Sequence, residues 1–165
     1  RCRGLIRLGS VGIAMSLQSM FNDIPFVKQL GMEITAVEDG YAAGELQLED
    51  SHSSNPESMI AHGGVTYSLV DTVGGAAVVS QSGTVSPTVD MRIDYLAPAT
   101  TDLRTEAEVV RNGGSVSVVD AEVYDTDGHH IASARGTYKT DGDRGESPWT
   151  KGVDESDVKQ LTGDD

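Results

Sequence analysis

The chain has 165 residues and a formal charge of −14, because 26 Asp and Glu residues outnumber 12 Lys and Arg residues. This length is sufficient for one domain with a hydrophobic core, and the absence of a basic stripe argues against a nucleic-acid partner. Cys2 is the single cysteine, which excludes an intrachain disulfide and a cysteine-based zinc site. No apolar run approaches the ~18 residues that span a bilayer, so we expect a cytoplasmic protein with no membrane partner.

The first third of the chain is predicted to form a short helix, a hairpin and a loop. Apolar residues spaced by three and four over residues 16–30 predict an amphipathic helix, which Pro25 breaks or kinks. Alternating patterns over residues 32–37 and 41–48, joined by a short turn, predict a β-hairpin. Residues 50–61 are predicted to be a polar loop.

The rest of the domain is predicted to hold one long helix and four strands. The helix runs from Gly63 to about Ser80, and its apolar stripe comprises Val65, Leu69, Val73, Ala76 and Ala77. The strands cover residues 85–96, 103–111, 115–124 and 130–139. Since one helix must cover the apolar face of five or six antiparallel strands, we predict an α+β fold with the sheet curled around that helix.

The two ends of the chain differ in composition from this middle part. Residues 1–14 are expected to be upstream sequence or a disordered arm, and residues 15–140 to form the domain. Residues 141–165 carry eight acids against three bases and few apolar residues, which predicts a solvated acidic tail.

The residues that bear most on function are His62-Gly63-Gly64, at the start of the long helix, and Asp71, about two turns inside it. The first N–H groups of a helix lack intrahelical partners and carry partial positive charge. A carbonyl group held there would be polarised, and Asp71 offers a base or a nucleophile. By themselves, these features also fit an ordinary loop-to-helix junction and a solvated mid-helix acid.

A stripe of small and polar residues lies beside the apolar stripe of the same helix. Its members recur every three or four residues, and they are Gly64, Ser68, Asp71 and Gly75. Gly74 and Gly75 each cost about 1 kcal/mol relative to Ala inside a helix. The stripe therefore predicts a shallow trough that a strand or a ligand approaches closely.

The spacing of the two functional elements predicts a dimer. A rise of ~1.5 Å per residue puts Asp71 roughly 12 Å from the Gly63 amide along the helix. Both elements can serve one site only if two chains share it, and a symmetric dimer with its two helices side by side satisfies this condition.

Other motifs are weak, and we expect neither a metal ion nor a cofactor. Asp125-x-Asp127-Gly128 is a fragment of a calcium-binding loop and is interpreted as a turn. His129 and His130 lie in a predicted hairpin turn at the start of a strand, and since adjacent residues of a strand point to opposite faces, a shared metal is not expected.

The run His62-Gly63-Gly64-x6-Asp71-Thr72, together with the strand at residues 88–99 that ends in Tyr-Leu-Ala-Pro-Ala, resembles the hotdog-fold acyl-CoA thioesterases. The similarity is closest to the PaaI-like (phenylacetic acid degradation) branch and covers about residues 26–139. It implies a sheet wrapped around the long helix, an acyl-CoA substrate, and homodimers with a continuous sheet that often pair into homotetramers.

The resemblance also implies roles for individual residues. Asp71 corresponds to the catalytic carboxylate, acting as nucleophile or as general base on water. Gly63 or Gly64 of the partner subunit would supply the amide that polarises the thioester carbonyl, and His62 would shape that site.

Further roles are implied around this centre. Asn55 corresponds to a loop residue that positions the carbonyl or the water, and Thr88 to a hydroxyl residue that assists the water. Basic residues of the family that meet CoA phosphates have no counterpart at Gly113-Gly114-Ser115. Candidates for contact with the phosphates are therefore Arg92, Arg111 and Arg135. Met59, Tyr67 and Val70 are candidates for contact with the acyl group, and Ser68 is a further candidate for substrate binding.

Two alternatives to thioester hydrolysis remain at this point. A hotdog hydratase or dehydratase needs a His and an acid facing C2 and C3 of the acyl group, an arrangement that the His-Gly-Gly-x6-Asp order matches poorly. A non-catalytic acyl-CoA-binding module would bind the ligand without turnover.

The charge distribution predicts adaptation to high salt. Only four lysines are present, and carboxylates are spread along the whole chain, so their mutual repulsion should fall as salt shortens the Debye length to ~3 Å at 1 M. We expect the melting temperature to rise from dilute buffer to molar KCl. A melting temperature that falls as KCl is raised above low salt would contradict this prediction.

Overall fold

The computed structural model describes residues 16–141; the expectations for residues 1–14 and for the tail beyond residue 141 lie outside this range. The helices are α1 (Leu17–Asn22), α2 (Pro25–Gln29) and α3 (Gly63–Ser82). The strands are β1 (Met32–Glu38), β2 (Tyr41–Leu46), β3 (Thr88–Tyr95), β4 (Leu103–Asn112), β5 (Val116–Asp125) and β6 (His130–Lys139). None of the helices in the described range is long and apolar enough to cross a membrane.

The element order agrees with the sequence prediction, with differences at the boundaries. Pro25 does break the N-terminal helical segment, because it is the first residue of a separate helix α2. The strand predicted to begin at residue 85 begins at Thr88 instead, since Pro87 has no N–H to give to a sheet. The second strand ends at Leu46, and beyond it the Leu48 N–H donates to the Asp102 carboxylate at 2.8 Å.

The six strands form one antiparallel sheet in the order β1-β2-β4-β5-β6-β3, and α3 packs against its concave face. The predicted apolar stripe of α3 is in the core, where Leu69, Val73, Ala76 and Ala77 are fully buried and Val65 is partly buried. The predicted arrangement of a five- or six-stranded sheet around one long helix is therefore confirmed.

The close approach predicted at the helix glycines is made by a strand. Tyr138 of β6 is 1% exposed, and its hydroxyl donates to the Asp71 carbonyl at 3.1 Å. A Cβ atom at Gly74 would overlap this hydroxyl, and one at Gly136 would lie 2.8 Å from the Tyr138 ring. Burial raises the pKa of Tyr138 far above its usual value, so the hydroxyl stays protonated and remains a donor.

The turn between β5 and β6 is built around Asp125, as its interpretation as a turn predicted. The Asp125 Oδ1 atom accepts N–H groups from Asp127 and His129, at 3.0 and 2.7 Å. The His129 ring contacts Asp125 Oδ2 at 2.9 Å, whereas the His130 ring contacts Glu122 at 2.5 Å. The two neighbouring histidines therefore have different acidic partners.

The two edges of the sheet differ. At β1, the side chain of Asn22 accepts the Ile34 N–H at 2.7 Å and donates to the Ile34 carbonyl at 3.0 Å, and Gln18 donates to the same carbonyl. At β3, the side chains of Val89 and Tyr95 are 63% and 51% exposed, and Leu96, the residue after the strand, is 55% exposed. Helix α1 thus occupies backbone groups of one edge, whereas no other element of residues 16–141 covers the edge formed by β3.

We predict that two adjacent glycine substitutions in α3 have opposite effects on stability. Gly74→Ala should lower the free energy of unfolding by ~1–3 kcal/mol, because the added methyl overlaps the buried Tyr138 hydroxyl. Gly75→Ala is the matched control: its Cβ would lie 3.7 Å from the Tyr138 ring, so better helix propensity should raise the free energy of unfolding by up to ~1 kcal/mol.

Urea denaturation of both variants measures these effects. In a Tyr138→Phe background, which removes the overlapping oxygen, the cost of Gly74→Ala should shrink. Equal effects of the two glycine substitutions would contradict the steric explanation.

Candidate active site

The N-terminus of α3 is held in place by its own cap and by two loops. His62 is the N-cap residue, in an extended conformation with φ −61° and ψ 135°, and its Nδ1 atom accepts the Gly64 N–H at 2.9 Å. The His62 N–H donates to the His52 carbonyl, and the Ala61 N–H donates to the Ala99 carbonyl, both at 2.8 Å. These hydrogen bonds hold the two residues before the helix against the loops that contain His52 and Ala99, and so fix the position of the helix start.

This capping distinguishes the two amides that the sequence had left as alternatives. The Gly64 N–H is engaged by His62, whereas the Gly63 N–H has no acceptor among residues 16–141. His62 accepts at Nδ1, so the proton of its neutral ring is at Nε2. Of the two glycines, Gly63 has the N–H that is free to bind an incoming oxygen, and it lies at the positive end of the helix dipole.

Asp71 lies on α3 against the start of β3. Its Oδ1 atom accepts a hydrogen bond from the Thr88 hydroxyl at 2.7 Å, and its Oδ2 atom has no partner in the described range. A bulge between Thr88 and Asp90 makes this contact possible, because it pairs Thr88 with the inward-facing Tyr138. The sequence prediction that Thr88 and Asp71 serve one site agrees with this geometry.

The side chains next to Asp71 differ in their burial and in their hydrogen bonds. Tyr67 is partly buried. Its pKa is raised mainly by desolvation and to a smaller extent by the negative charges of Asp71 and Asp90, so its hydroxyl is neutral beside the acid. Ser68 donates to the Gly64 carbonyl at 2.8 Å and is thereby engaged by the helix. Val70 is 1% exposed and belongs to the core, so its side chain is not open to the contact with the acyl group that was predicted from the sequence.

Tyr95, at the far end of β3, begins the Tyr-Leu-Ala-Pro-Ala run of the family pattern, but no role for it was predicted from the sequence. Its hydroxyl donates to the Gly63 carbonyl at 2.7 Å, and its ring covers Gly63 closely enough that a Cβ atom there would lie 3.0 Å from the Tyr95 oxygen. The signal that could have indicated it is an aromatic residue next to the Ala-Pro-Ala end of the strand.

Within one chain, the acid and the free amide are held at opposite ends of β3. Thr88 at its start contacts Asp71, and Tyr95 at its end contacts Gly63. Seven residues of extended strand separate these two anchors by on the order of 20 Å. The geometry therefore agrees with the spacing argument that one chain does not bring Asp71 to its own Gly63.

Asn55 lies in a loop of its own. Its Oδ1 atom accepts the Glu57 N–H at 2.9 Å, and its backbone N–H donates to the Ser53 hydroxyl at 3.1 Å. The loop borders an open cavity that Met59 also lines. Within residues 16–141, Asn55 makes no hydrogen bond to Asp71 or to the Gly63 turn. The structure of one chain therefore does not bring Asn55 into contact with either of these two elements of the candidate site.

The three candidate arginines differ in how far they are engaged. Arg92 pairs with Asp94 at 3.0 Å, and Arg135 makes two hydrogen bonds to Asp120, at 2.5 and 2.6 Å. Hydrogen bonding from Arg135 lowers the pKa of Asp120 despite the opposing effect of burial. In the described part of the chain, Arg111 is exposed and forms no ion pair.

Metal-ligating side chains do not cluster around Asp71 in the described range. The group of three that could share an ion there is Asp125, Asp127 and His129 at the β5–β6 turn. Asp125 is already bonded to its own turn. The groups that the structure brings together at Asp71 are its carboxylate and the hydroxyls of Thr88 and Tyr67.

Comparison with known proteins assigns this arrangement to a family. Residues 59–132 match the Thioesterase superfamily. A putative esterase of Halobacterium salinarum is 30% identical over 139 residues, which cover 76% of this chain and 91% of the relative. The medium/long-chain acyl-CoA thioesterase YigI of Escherichia coli K12 is 30% identical over 131 residues, covering 70% of this chain and 84% of that protein.

A solved structure gives the same result. The structure of the Escherichia coli PaaI protein from the phenylacetic acid degradation operon superposes on this chain with a TM-score of 0.68 and 27% sequence identity. The match covers 74% of this chain and 88% of the PaaI chain. The sequence matches, the sheet wrapped around α3 and the capped helix N-terminus together show that this chain belongs to the thioesterase superfamily, with its hotdog fold, and that it is a thioesterase.

Proposed function

We propose that this thioesterase belongs to the PaaI-like branch and hydrolyses acyl-CoA or aryl-acyl-CoA to the free acid and CoA. The observation that carries the proposal is the presence of two complementary free groups on a fixed frame. One is the Gly63 N–H at the helix N-terminus, and the other is Oδ2 of Asp71, whose Oδ1 is held by Thr88. An N–H donor for a developing oxyanion and a carboxylate beside it are what acyl transfer to water requires.

Two chemical routes are compatible with these groups. As a general base, Asp71 takes a proton from water while the oxygen attacks the thioester carbon; the thiolate then leaves and is protonated. As a nucleophile, Asp71 forms a mixed anhydride and expels the thiolate, and water cleaves the anhydride. In both routes the negative charge on the carbonyl oxygen is stabilised by the N–H of Gly63 of the partner subunit.

The proposal includes a homodimer formed through β3, in which two chains complete each site. The β1 edge is engaged by α1, whereas within residues 16–141 β3 is an uncovered edge with exposed apolar side chains. Antiparallel pairing of β3 with its copy, about a two-fold axis near Met91 and Arg92, puts the start of one strand beside the end of the other. Asp71, next to Thr88, would then lie near Gly63 of the partner subunit, which is held by that subunit's Tyr95.

Contact with the CoA phosphates is assigned to Arg111. It is the candidate arginine without an acidic partner in the described range, whereas those at 92 and 135 are engaged by acids. The overall charge of −14 opposes binding of a polyanion in dilute buffer, and this repulsion is screened at molar salt. Adaptation to high salt is accordingly part of the proposal.

The proposed activity predicts thiol release from acyl-CoA that depends on Asp71. A panel of acyl- and aryl-CoA thioesters at high KCl, assayed by detection of free thiol, should include substrates that the native protein hydrolyses. Asp71→Asn should lower kcat by roughly 100-fold or more on those substrates, because it removes the base or nucleophile. Asp39→Asn, in the exposed β1–β2 turn, is the control and should leave kcat unchanged.

Binding of acyl-CoA without turnover in the native protein would favour a non-catalytic module and contradict the proposal. An Asp71→Asn variant with native kcat would refute the assigned mechanism while leaving the reaction itself in place.

The shared site predicts that two inactive variants complement each other. Gly63→Pro removes the N–H, and the position tolerates proline because it is the first residue of the helix and His62 before it is already extended. In a mixed dimer of Gly63→Pro with Asp71→Asn, one of the two sites has both functional groups intact. Equal mixing and reassembly should therefore restore about a quarter of the native activity.

Gly63→Ala is the matched control, since it adds the same Cβ atom beside Tyr95 but keeps the N–H. It should retain much more activity than Gly63→Pro, for which we expect a loss of ~10²–10³ in kcat. Mixtures that stay inactive although both variants form dimers would show that each site belongs to one chain.

A further inference from the structure

The peptide group between Gly63 and Gly64 is held at both of its polar atoms. Its carbonyl oxygen accepts the Tyr95 hydroxyl at 2.7 Å, and its N–H donates to His62 Nδ1 at 2.9 Å. The Tyr95 ring also lies directly over Gly63, at the place that a side chain would otherwise fill. This clamp combines a residue of β3 with the cap of α3.

The clamp matters because Gly63 is the residue whose N–H is free. Glycine has no Cβ atom and therefore has the widest choice of backbone conformations, so the direction of its N–H must be set by its neighbours. Fixing the peptide that follows Gly63 restricts rotation about the Gly63 backbone. The His62 carbonyl, in the peptide that precedes Gly63, accepts the Val65 N–H and restricts that peptide as well. The free N–H is thereby aimed before substrate arrives.

The state of the Tyr95 hydroxyl is suited to this task. Burial, with a smaller effect of the nearby Tyr67, raises the pKa of Tyr95, so the hydroxyl remains a donor. The Gly63 carbonyl, its acceptor, has no proton to give, so the hydrogen bond has one direction. A donor at the oxygen and an acceptor at the nitrogen also polarise the same peptide in the same sense.

We propose that Tyr95 is a positioning residue for thioester hydrolysis, which orients the free Gly63 N–H through its hydrogen bond to the Gly63 carbonyl. This inference rests on the proposed function, because it presumes that the Gly63 N–H stabilises the oxyanion. Tyr95 itself touches no reacting atom. Its effect belongs to the transition state, since a misdirected donor weakens the interaction with the developing charge more than the binding of CoA.

The test is Tyr95→Phe, which removes the hydroxyl and keeps the ring over Gly63. Tyr41→Phe is the matched control, because the Tyr41 hydroxyl makes no hydrogen bond within residues 16–141. With the acyl-CoA that the native protein hydrolyses, Tyr95→Phe should lower kcat roughly 10- to 100-fold with little change in KM. Tyr41→Phe should change neither constant, and both variants should keep the native melting temperature.

A second readout reports on the clamp without any turnover. In ¹⁵N-labelled protein, Tyr95→Phe should shift the Gly64 amide resonance and speed exchange of its hydrogen with solvent, because the carbonyl of the same peptide loses its donor. Tyr41→Phe should leave the Gly64 resonance in place. The Gly64 resonance is independent of substrate, so it distinguishes failure of this inference from failure of the proposed reaction.

Each outcome decides the inference. A shifted Gly64 resonance together with a lower kcat in Tyr95→Phe alone supports it. An unchanged Gly64 resonance overturns it, whatever the substrate is found to be. A shifted resonance with native kcat, or an equal loss of kcat in Tyr41→Phe, also overturns it, whereas native protein that hydrolyses no acyl-CoA overturns the proposed function and with it the role of Tyr95.

Discussion

The contact between Tyr138 and α3 is the constraint on which the rest of the site depends. The buried hydroxyl of Tyr138 is bonded to the backbone carbonyl of Asp71 itself, and Gly74 and Gly136 leave the space that the ring requires. Helix α3 is thereby held against β6 at the turn that carries the acid. Because β3 is the neighbour of β6 in the sheet, the same contact fixes how the helix lies along the edge strand.

Strand β3 contacts both the Asp71 carboxylate and the Gly63 backbone. The bulge at its start turns Thr88 inward to the Asp71 carboxylate, and Tyr95 at its end reaches the first residue of α3. Among the residues that the structure describes, the strand is also the open edge of the sheet, while the β1 edge is engaged by Asn22. In the homodimer that we propose, the interface strand would therefore be the strand that holds the acid and the amide, and assembly of the dimer would be coupled to assembly of the site.

The sequence predicted much of this protein through two kinds of pattern. Three- and four-residue spacing located α3 and its buried stripe. Strand-like runs located all six strands, and five of the six bury side chains on one face, which their sequence pattern reports. The His62-Gly63-Gly64 turn and Asp71 were recognisable because the free N–H groups at a helix start and the distance along a helix follow from local geometry. The distance along the helix also predicted that one chain alone does not bring Asp71 to its own Gly63 N–H.

Other features required the tertiary structure, since they depend on residues that are distant in the chain. Sequence alone could not choose between Gly63 and Gly64, and the choice follows from which N–H the His62 ring accepts. It could not say whether a ligand or a strand fills the space at Gly74, where Tyr138 arrives from 64 positions later in the chain.

Sequence patterns determined the local elements and the functional residue types of this protein, because periodicity and capping act over a few residues. Only the tertiary structure decided which N–H is free, which edge is open and that Tyr95 meets Gly63. Those contacts arise where β3, β6 and α3 are packed together, and no pattern within any one of these elements encodes them.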